Sequence, residues 1–234
     1  MDCFISNAGF VHQSIYRDLL IYRCNFNASL FQSSLFSQLN IGLPKSLLKA
    51  VSKRKAEFLA GRFCAQQCLE NLGIKNFELK IKRSKEPMWP TYINGSIAHT
   101  KSMATAIVSN NSHILGVGVD VSEIILPRII GLIEKQIFFD IEYELYEQLD
   151  LNREFIFTLV FSVKECFFKA IFPSVGQYFG FDAVRIIDVD FDKKRVLLTL
   201  NKNLGTVFKK GAFFTSHFCF FNNKVTTILE VREL

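Results

Sequence analysis

From Phe155 to Phe172 the chain runs 18 residues with only three charges, Lys164, Glu165 and Lys169, and without a glycine or proline. A segment so uniformly apolar is expected to be a helix buried on most of its surface, spanning Glu154–Phe172 and stopped by Pro173. It is too interrupted by charge to cross a membrane, and charges are rarely placed in such a helix without work to do. Read at helical period, Glu165 and Lys169 are four apart on one face, with Phe161 and Phe168 flanking them. Taken alone, that pair is most simply a half-buried i,i+4 ion pair contributing about 0.3–0.5 kcal/mol.

The rest of the composition narrows the setting. A chain of 234 residues, 49% hydrophobic and with 25 Phe, buries a large core as one domain or as two of modest size. The N-terminus lacks the basic and apolar regions of a secretory signal, so a cytoplasmic protein is expected. The six Cys include no Cys-x-x-Cys pair and make no metal spacing with the four His. Cys64 and Cys68, with Ala60 and Gly61, read as a small-residue stripe for close helix packing. Charge is unevenly held. Residues 1–113 carry 14 Lys and Arg against 6 Asp and Glu, whereas residues 114–234 carry 14 against 16. Lys45, Lys49, Lys53, Arg54, Lys55 and Arg62 form one basic cluster, and Lys80, Lys82, Arg83 and Lys85 another. Such clusters suit a phosphate-rich ligand, an acidic protein or nucleic acid, or else a solvated face.

Asn110-Asn111-Ser112 is the best candidate boundary, dividing the chain into residues 1–111 and 112–234. Before it, a helix is expected over Lys53–Leu72 with Gly73 as its stop, followed by alternating Phe77, Leu79 and Ile81, a loop at Glu86-Pro87, a short Ser96–His99 segment, and a helix or strand over Met103–Val108. Residues 1–45 carry little signal. After the boundary, Ile114–Val121 reads as a buried strand whose glycines permit close backbone approach. An acidic helix is expected over Glu134–Asp150, with Ile137, Phe138, Ile141, Leu145 and Leu149 inward. Strands then follow at Ala183–Val189, Arg195–Leu200, Ala212–Phe221 and Lys224–Val231, with Asn222-Asn223 as a hairpin turn. Each half is helix plus antiparallel strands, an α+β layout.

Asp120 stands at the end of the glycine-bearing strand. A short, hard carboxylate suits Mg²⁺, which takes oxygen ligands and commonly keeps waters and substrate phosphate oxygens. Beside Glu165 it would form a two-carboxylate site with room for a diphosphate, faced by Lys169. Val117-Gly118-Val119-Asp120, 40 intervening residues, and then Phe161-Ser162-x-Lys164-Glu165-x-x-x-Lys169-Ala170 resemble the signature of the 4′-phosphopantetheinyl transferases. Upstream, Lys53–Arg62, Pro87-Met88-Trp89-Pro90 and Gly95–Thr100 resemble the larger, enterobactin-synthase component D type.

The resemblance implies two similar α+β halves about a pseudo-twofold axis, with the active site in the cleft between them. It also implies a reaction: a serine of an apo carrier protein (peptidyl, aryl or acyl) attacks the β-phosphate of coenzyme A and releases adenosine 3′,5′-bisphosphate. Asp120 and Glu165 would hold Mg²⁺ or Mn²⁺, Glu165 would be ligand, base or both, and Lys169 would face the phosphates. Arg54, Arg62, Lys82, Arg83 and His99 would contact the nucleotide end of coenzyme A, Trp89 would pack its loop, and Ser96 would at most cap a helix. Two positions depart from the pattern. Ser122 stands where the larger members carry a second metal carboxylate, and Ala98 replaces a common serine. Glu123 is expected on the opposite strand face from Asp120. The implied protein is a monomer with no membrane span and no nucleic-acid partner. A coenzyme A- or carrier-binding module without transferase activity is the alternative that Ser122 raises, and nucleic-acid binding rests on charge alone.

Overall fold

A computed structural model of the chain describes residues 3–12, 15–139, 142–144, 147 and 152–233. It divides into two compact units, Met1–Ile114 and Leu115–Leu234. In the first, strands β1 (Ile5–Phe10), β2 (Leu20–Phe26), β3 (Asn94–His99) and β4 (Met103–Ser109) form an antiparallel sheet in the order β1-β2-β4-β3. A short helix α1 (Ser34–Gln38) precedes α2 (Ser52–Asn71), which lies on β2 and β4. The contact is made by small side chains: Ala56, Ala60, Cys64, Ala65 and Cys68 of α2 meet Cys24, Ala104 and Ala106 of the strands, all fully buried. All six cysteines are free, and the Cys64 and Cys24 sulfurs lie 3.4 Å apart.

In the second unit, β5 (Ile114–Glu123), β6 (Val184–Asp190), β7 (Arg195–Leu200), β8 (Phe213–Phe221) and β9 (Lys224–Arg232) form a sheet in the order β5-β9-β8-β7-β6. Helix α3 (Pro127–Ile137) follows β5, and the long helix α4 (Arg153–Val175) packs on β9. The apolar bulk of α4, including Phe157, Val163, Cys166, Phe167 and Ile171, is buried against Val196, Leu198, Val225 and Leu229. Among the described residues no helix is long and apolar enough to cross a membrane.

Several elements differ from the sequence expectations. β1 and β2 arise from the first 45 residues, where no element was expected. Residues 77–81 form no strand. Only Ile81 bridges Pro87, because the backbone bonds Lys82 N–Glu86 O (2.9 Å) and Met88 N–Lys80 O (2.8 Å) close the segment on itself. Ser96 is a buried strand residue, not a helix cap. Pro173 does not end α4. It lies within the last turn, where a single backbone bond is lost, and the helix closes at Gly176 (φ 69°), whose N–H donates to Phe172 O.

The acidic helix expected over 134–150 is broken as well. α3 begins earlier, with Pro127 at its first turn, and ends at Ile137, after which Phe138 is extended. Residues 142–144 and 147 are helical again, whereas Ile141, Leu145, Leu149 and Asp150 lie outside the described residues.

Candidate active site

Two glycines bring helix and strand together. A Cβ at Gly116 would collide with the Ala170 carbonyl oxygen, and one at Gly118 with that of Cys166, so α4 rests directly on the backbone of β5. The close approach sets Asp120, two residues beyond Gly118, beneath Ser162 and Lys169. Asp120 is 6% exposed, and three side chains of its own chain donate to its carboxylate. Oδ1 accepts from Lys169 Nζ at 2.7 Å, while Oδ2 accepts from Ser122 Oγ and Ser162 Oγ, each at 2.8 Å. Lys169 also donates to Val119 O at 3.2 Å.

Glu165 occupies the same neighbourhood. Burial pushes its pKa up, Lys169 pulls it down and Asp120 raises it further, for a net rise. The Lys169 pKa is raised as well. Burial alone would lower its pKa, but Asp120 and then Glu165 outweigh that and hold the ammonium charged. The donor set is wholly hard oxygen (Asp120, Glu165 and the Ser122 hydroxyl), which fits Mg²⁺ or Mn²⁺ with open positions left for other oxygens. Among the described residues no cluster of three or more His, Cys, Asp or Glu forms a closed metal cage. Ser122 shares the Asp120 face, as alternation along β5 requires, and Glu123 falls on the other.

The two lysines of α4 have opposite surroundings. Lys164 is fully enclosed, donating to Ile137 O at 2.6 Å and to Glu142 Oε2 at 2.7 Å, with its ammonium 4.9 Å from the Phe139 ring. Glu142 is equally buried and also accepts from Ile186 N (2.8 Å) and Phe139 N (3.1 Å). Burial lowers the Lys164 pKa and Glu142 opposes the shift. Lys164 therefore ties the end of α3 to α4 and β6 and turns away from Asp120. Sequence reasoning missed Glu142 and Thr227, the second of which bonds Ser162. A cue for Glu142 was an acidic residue amid apolar positions of a helical pattern. For Thr227 there was none.

Beside Glu165 lies an aromatic cavity of about 90 Å³, lined by Phe167, Phe168, Tyr178, Phe179 and Phe181 together with Lys164 and Glu165. The Phe168 ring stacks on Phe172 at 4.9 Å and leans on Phe179 and Tyr178 at 5.0 and 5.5 Å.

The first unit carries a different kind of pocket, of about 800 Å³, whose lining includes Arg62, Lys82, Arg83, Lys85, Phe58 and Glu78. Arg62 is 8% exposed and its guanidinium sits 4.7 Å over the Phe58 ring. Its Nε has no hydrogen-bond partner among the described residues, and burial lowers its pKa to about 10. A buried cation left in that condition is suited to an incoming anion. Lys82 is paired with Glu86 at 2.6 Å. Arg54 and His99 do not line this pocket. They meet each other instead, at 2.9 Å, with Glu57 alongside. The lone Trp packs flat against the backbone of Gly95, where any Cβ would strike its ring.

The chain belongs to the 4′-phosphopantetheinyl transferase superfamily. Residues 44–109 match the 4′-phosphopantetheinyl transferase N-terminal domain, and residues 116–220 match the superfamily domain itself. Among curated proteins it is similar to enterobactin synthase component D of Escherichia coli, 35% identical over 65% of this chain and 69% of that protein. The corresponding protein of Salmonella typhi is 33% identical over 62% of this chain, and the match spans 59% of its length. The 4′-phosphopantetheinyl transferase PptT of Mycobacterium tuberculosis is 28% identical over 60% of this chain and 61% of its own.

Proposed function

We propose that this protein transfers the 4′-phosphopantetheine group of coenzyme A to a serine of an apo carrier protein, of peptidyl, aryl or acyl type. The observation that carries the reading is the Asp120–Lys169–Glu165 constellation: a buried carboxylate neutralised by a lysine beside a second carboxylate that burial holds toward its neutral form. Asp120, Glu165 and the Ser122 hydroxyl would hold Mg²⁺ or Mn²⁺, which when bound neutralises the diphosphate. Lys169, released from Asp120, presents its charge to the phosphoryl oxygens. Glu165 accepts the serine proton, directly or through a water it orients. Arg62, with Lys82 and Arg83, supplies the anion site for the nucleotide phosphates; Arg54 and His99, outside that pocket, are assigned to the nucleotide end by the family resemblance alone.

The test is mass spectrometry of an apo carrier after incubation with the protein, coenzyme A and Mg²⁺. The carrier should gain one phosphopantetheine, and Asp120→Asn should abolish the gain. A second reading, a coenzyme A-binding module without transfer, is favoured by one observation, the serine at 122 in place of a carboxylate. Coenzyme A binding with no adduct on any carrier class would establish it in place of the first.

A further inference from the structure

We propose that Ser162, backed by Thr227, is a positioning residue that fixes the Asp120 carboxylate so that only Oδ1 is offered to a divalent cation; the proposal rests on Asp120 being a metal ligand. A buried hydroxyl in a helix ordinarily bonds the carbonyl four residues earlier, as Thr158 does with Glu154 O at 2.6 Å. Ser162, fully buried on the same helix, instead donates its one proton to Asp120 Oδ2, 42 positions away.

That hydroxyl is itself held. Thr227, on the strand neighbouring β5 and also fully buried, places its Oγ1 2.9 Å from Ser162 Oγ and 3.0 Å from Ser162 O; since the Ser162 proton goes to Asp120, the single Thr227 proton is the one that serves these two acceptors. Neither hydroxyl has solvent as an alternative partner, so the orientation persists. With Ser122 as the second donor, the lone pairs of Oδ2 are used up. Oδ1 differs. Its partner is Lys169, whose side chain is 26% exposed and sits on a flexible stem that can withdraw. The carboxylate thus has one edge locked by hydroxyls and one exchangeable edge, which is where an arriving cation competes with an ammonium.

The experiment uses Mn²⁺ alone as the probe. Binding to the 234-residue chain is titrated by electron paramagnetic resonance without coenzyme A or carrier, and circular-dichroism melting reports folding separately. Partners of metal ligands typically change affinity by about 10- to 100-fold. Ser162→Ala should weaken Mn²⁺ binding by about 10-fold at the low end of that range. Thr227→Val should weaken it in the same direction but less, and Thr227→Ser, which keeps the hydroxyl, should bind as the unaltered protein does. A merely structural serine would lower the melting temperature and leave the Mn²⁺ affinity of the folded protein where it was. Unchanged affinity in folded Ser162→Ala overturns the proposal while the reading of Asp120 stands. Should Ser162→Ala not fold, equal affinities in Thr227→Val and Thr227→Ser overturn it. If Asp120→Asn binds Mn²⁺ as well as the unaltered protein, both this proposal and the metal reading fall.

Discussion

Replacing Lys164 by Met tests whether the first lysine of the Lys-Glu-x-x-x-Lys motif is structural. The Lys164–Glu142 pair is 2.7 Å long with both side chains essentially without exposure. Met has a similar length and no charge, so Lys164→Met removes the ammonium without opening a large cavity. What remains is a buried carboxylate with only two backbone donors, Ile186 N and Phe139 N. Breaking a buried pair from one side costs about 3–5 kcal/mol. Against a typical total of about 5–15 kcal/mol, that is at least about a fifth of the stability of such a domain, and most of it for a marginal one. The double variant Lys164→Met/Glu142→Gln removes the stranded charge while keeping one oxygen acceptor, and should recover at least half the loss. Urea denaturation followed by circular dichroism measures both, and hydrogen exchange at the Ile186 amide localises the effect to β6. A cost for Lys164→Met below about 1 kcal/mol, the range of an exposed pair, would refute the reasoning.

Gly118→Ala should destabilise by about 1–3 kcal/mol or more in thermal melts and weaken Mn²⁺ binding, since the new Cβ must drive α4 off the strand that carries Asp120. Ser122→Glu should lower the Mg²⁺ concentration needed for half-maximal transfer, in metal titrations of carrier modification. An unchanged requirement would mean that position 122 does not face the ion. Arg62→Met should raise the dissociation constant for coenzyme A by about 10- to 100-fold in calorimetry, the loss of a charge-assisted bond, while the ligand-free protein loses at most the contact of the guanidinium with the Phe58 ring, about 0.5–2 kcal/mol. His217 has its pKa lowered by burial and then by Arg195, against a smaller pull from Glu230. Its unfolded form binds a proton more readily, so it costs stability as pH falls through about 6.5 toward the folded value. The melting temperature of His217→Gln should therefore fall less than that of the unaltered protein between neutral pH and pH 5.

Much of the second unit was legible. β7 was bounded correctly from its alternation, and Asn222-Asn223 supplies the two left-handed residues (φ 48° and 58°) that its hairpin requires. α4 was foreseen from its unbroken apolar run, though its end was not: a proline in a last turn costs one bond, and Gly176 offered a better stop. β1 was invisible because Ser6, Asn7, Ala8 and Gly9 give it little apolar surface and its register shifts between Ser6 and Gly9; β2 does alternate from Tyr22 to Phe26, and its pairing with β4 is settled by partners some 80 residues on. Arg54 and Arg62 were both expected at the nucleotide end of coenzyme A, yet only Arg62 lines the basic pocket, while Arg54 meets His99.

The sequence by itself determined that three charges lie in an apolar helix, that a glycine-bearing strand ends in Asp120, and which family the spacing between them resembles. These are properties of order along the chain, and helical and strand periods read them directly. Only the tertiary structure decided the partners. Lys164 and Lys169 sit five apart on one helix, yet Lys164 closes on Glu142 in a dry core and Lys169 on Asp120 beside a second carboxylate. Ser162 looked like an ordinary helix serine until β9 brought Thr227 behind it. The physical reason is common to all three. A buried polar group must be satisfied by whatever atoms the fold brings within about 3 Å, and those atoms come from residues distant in the chain.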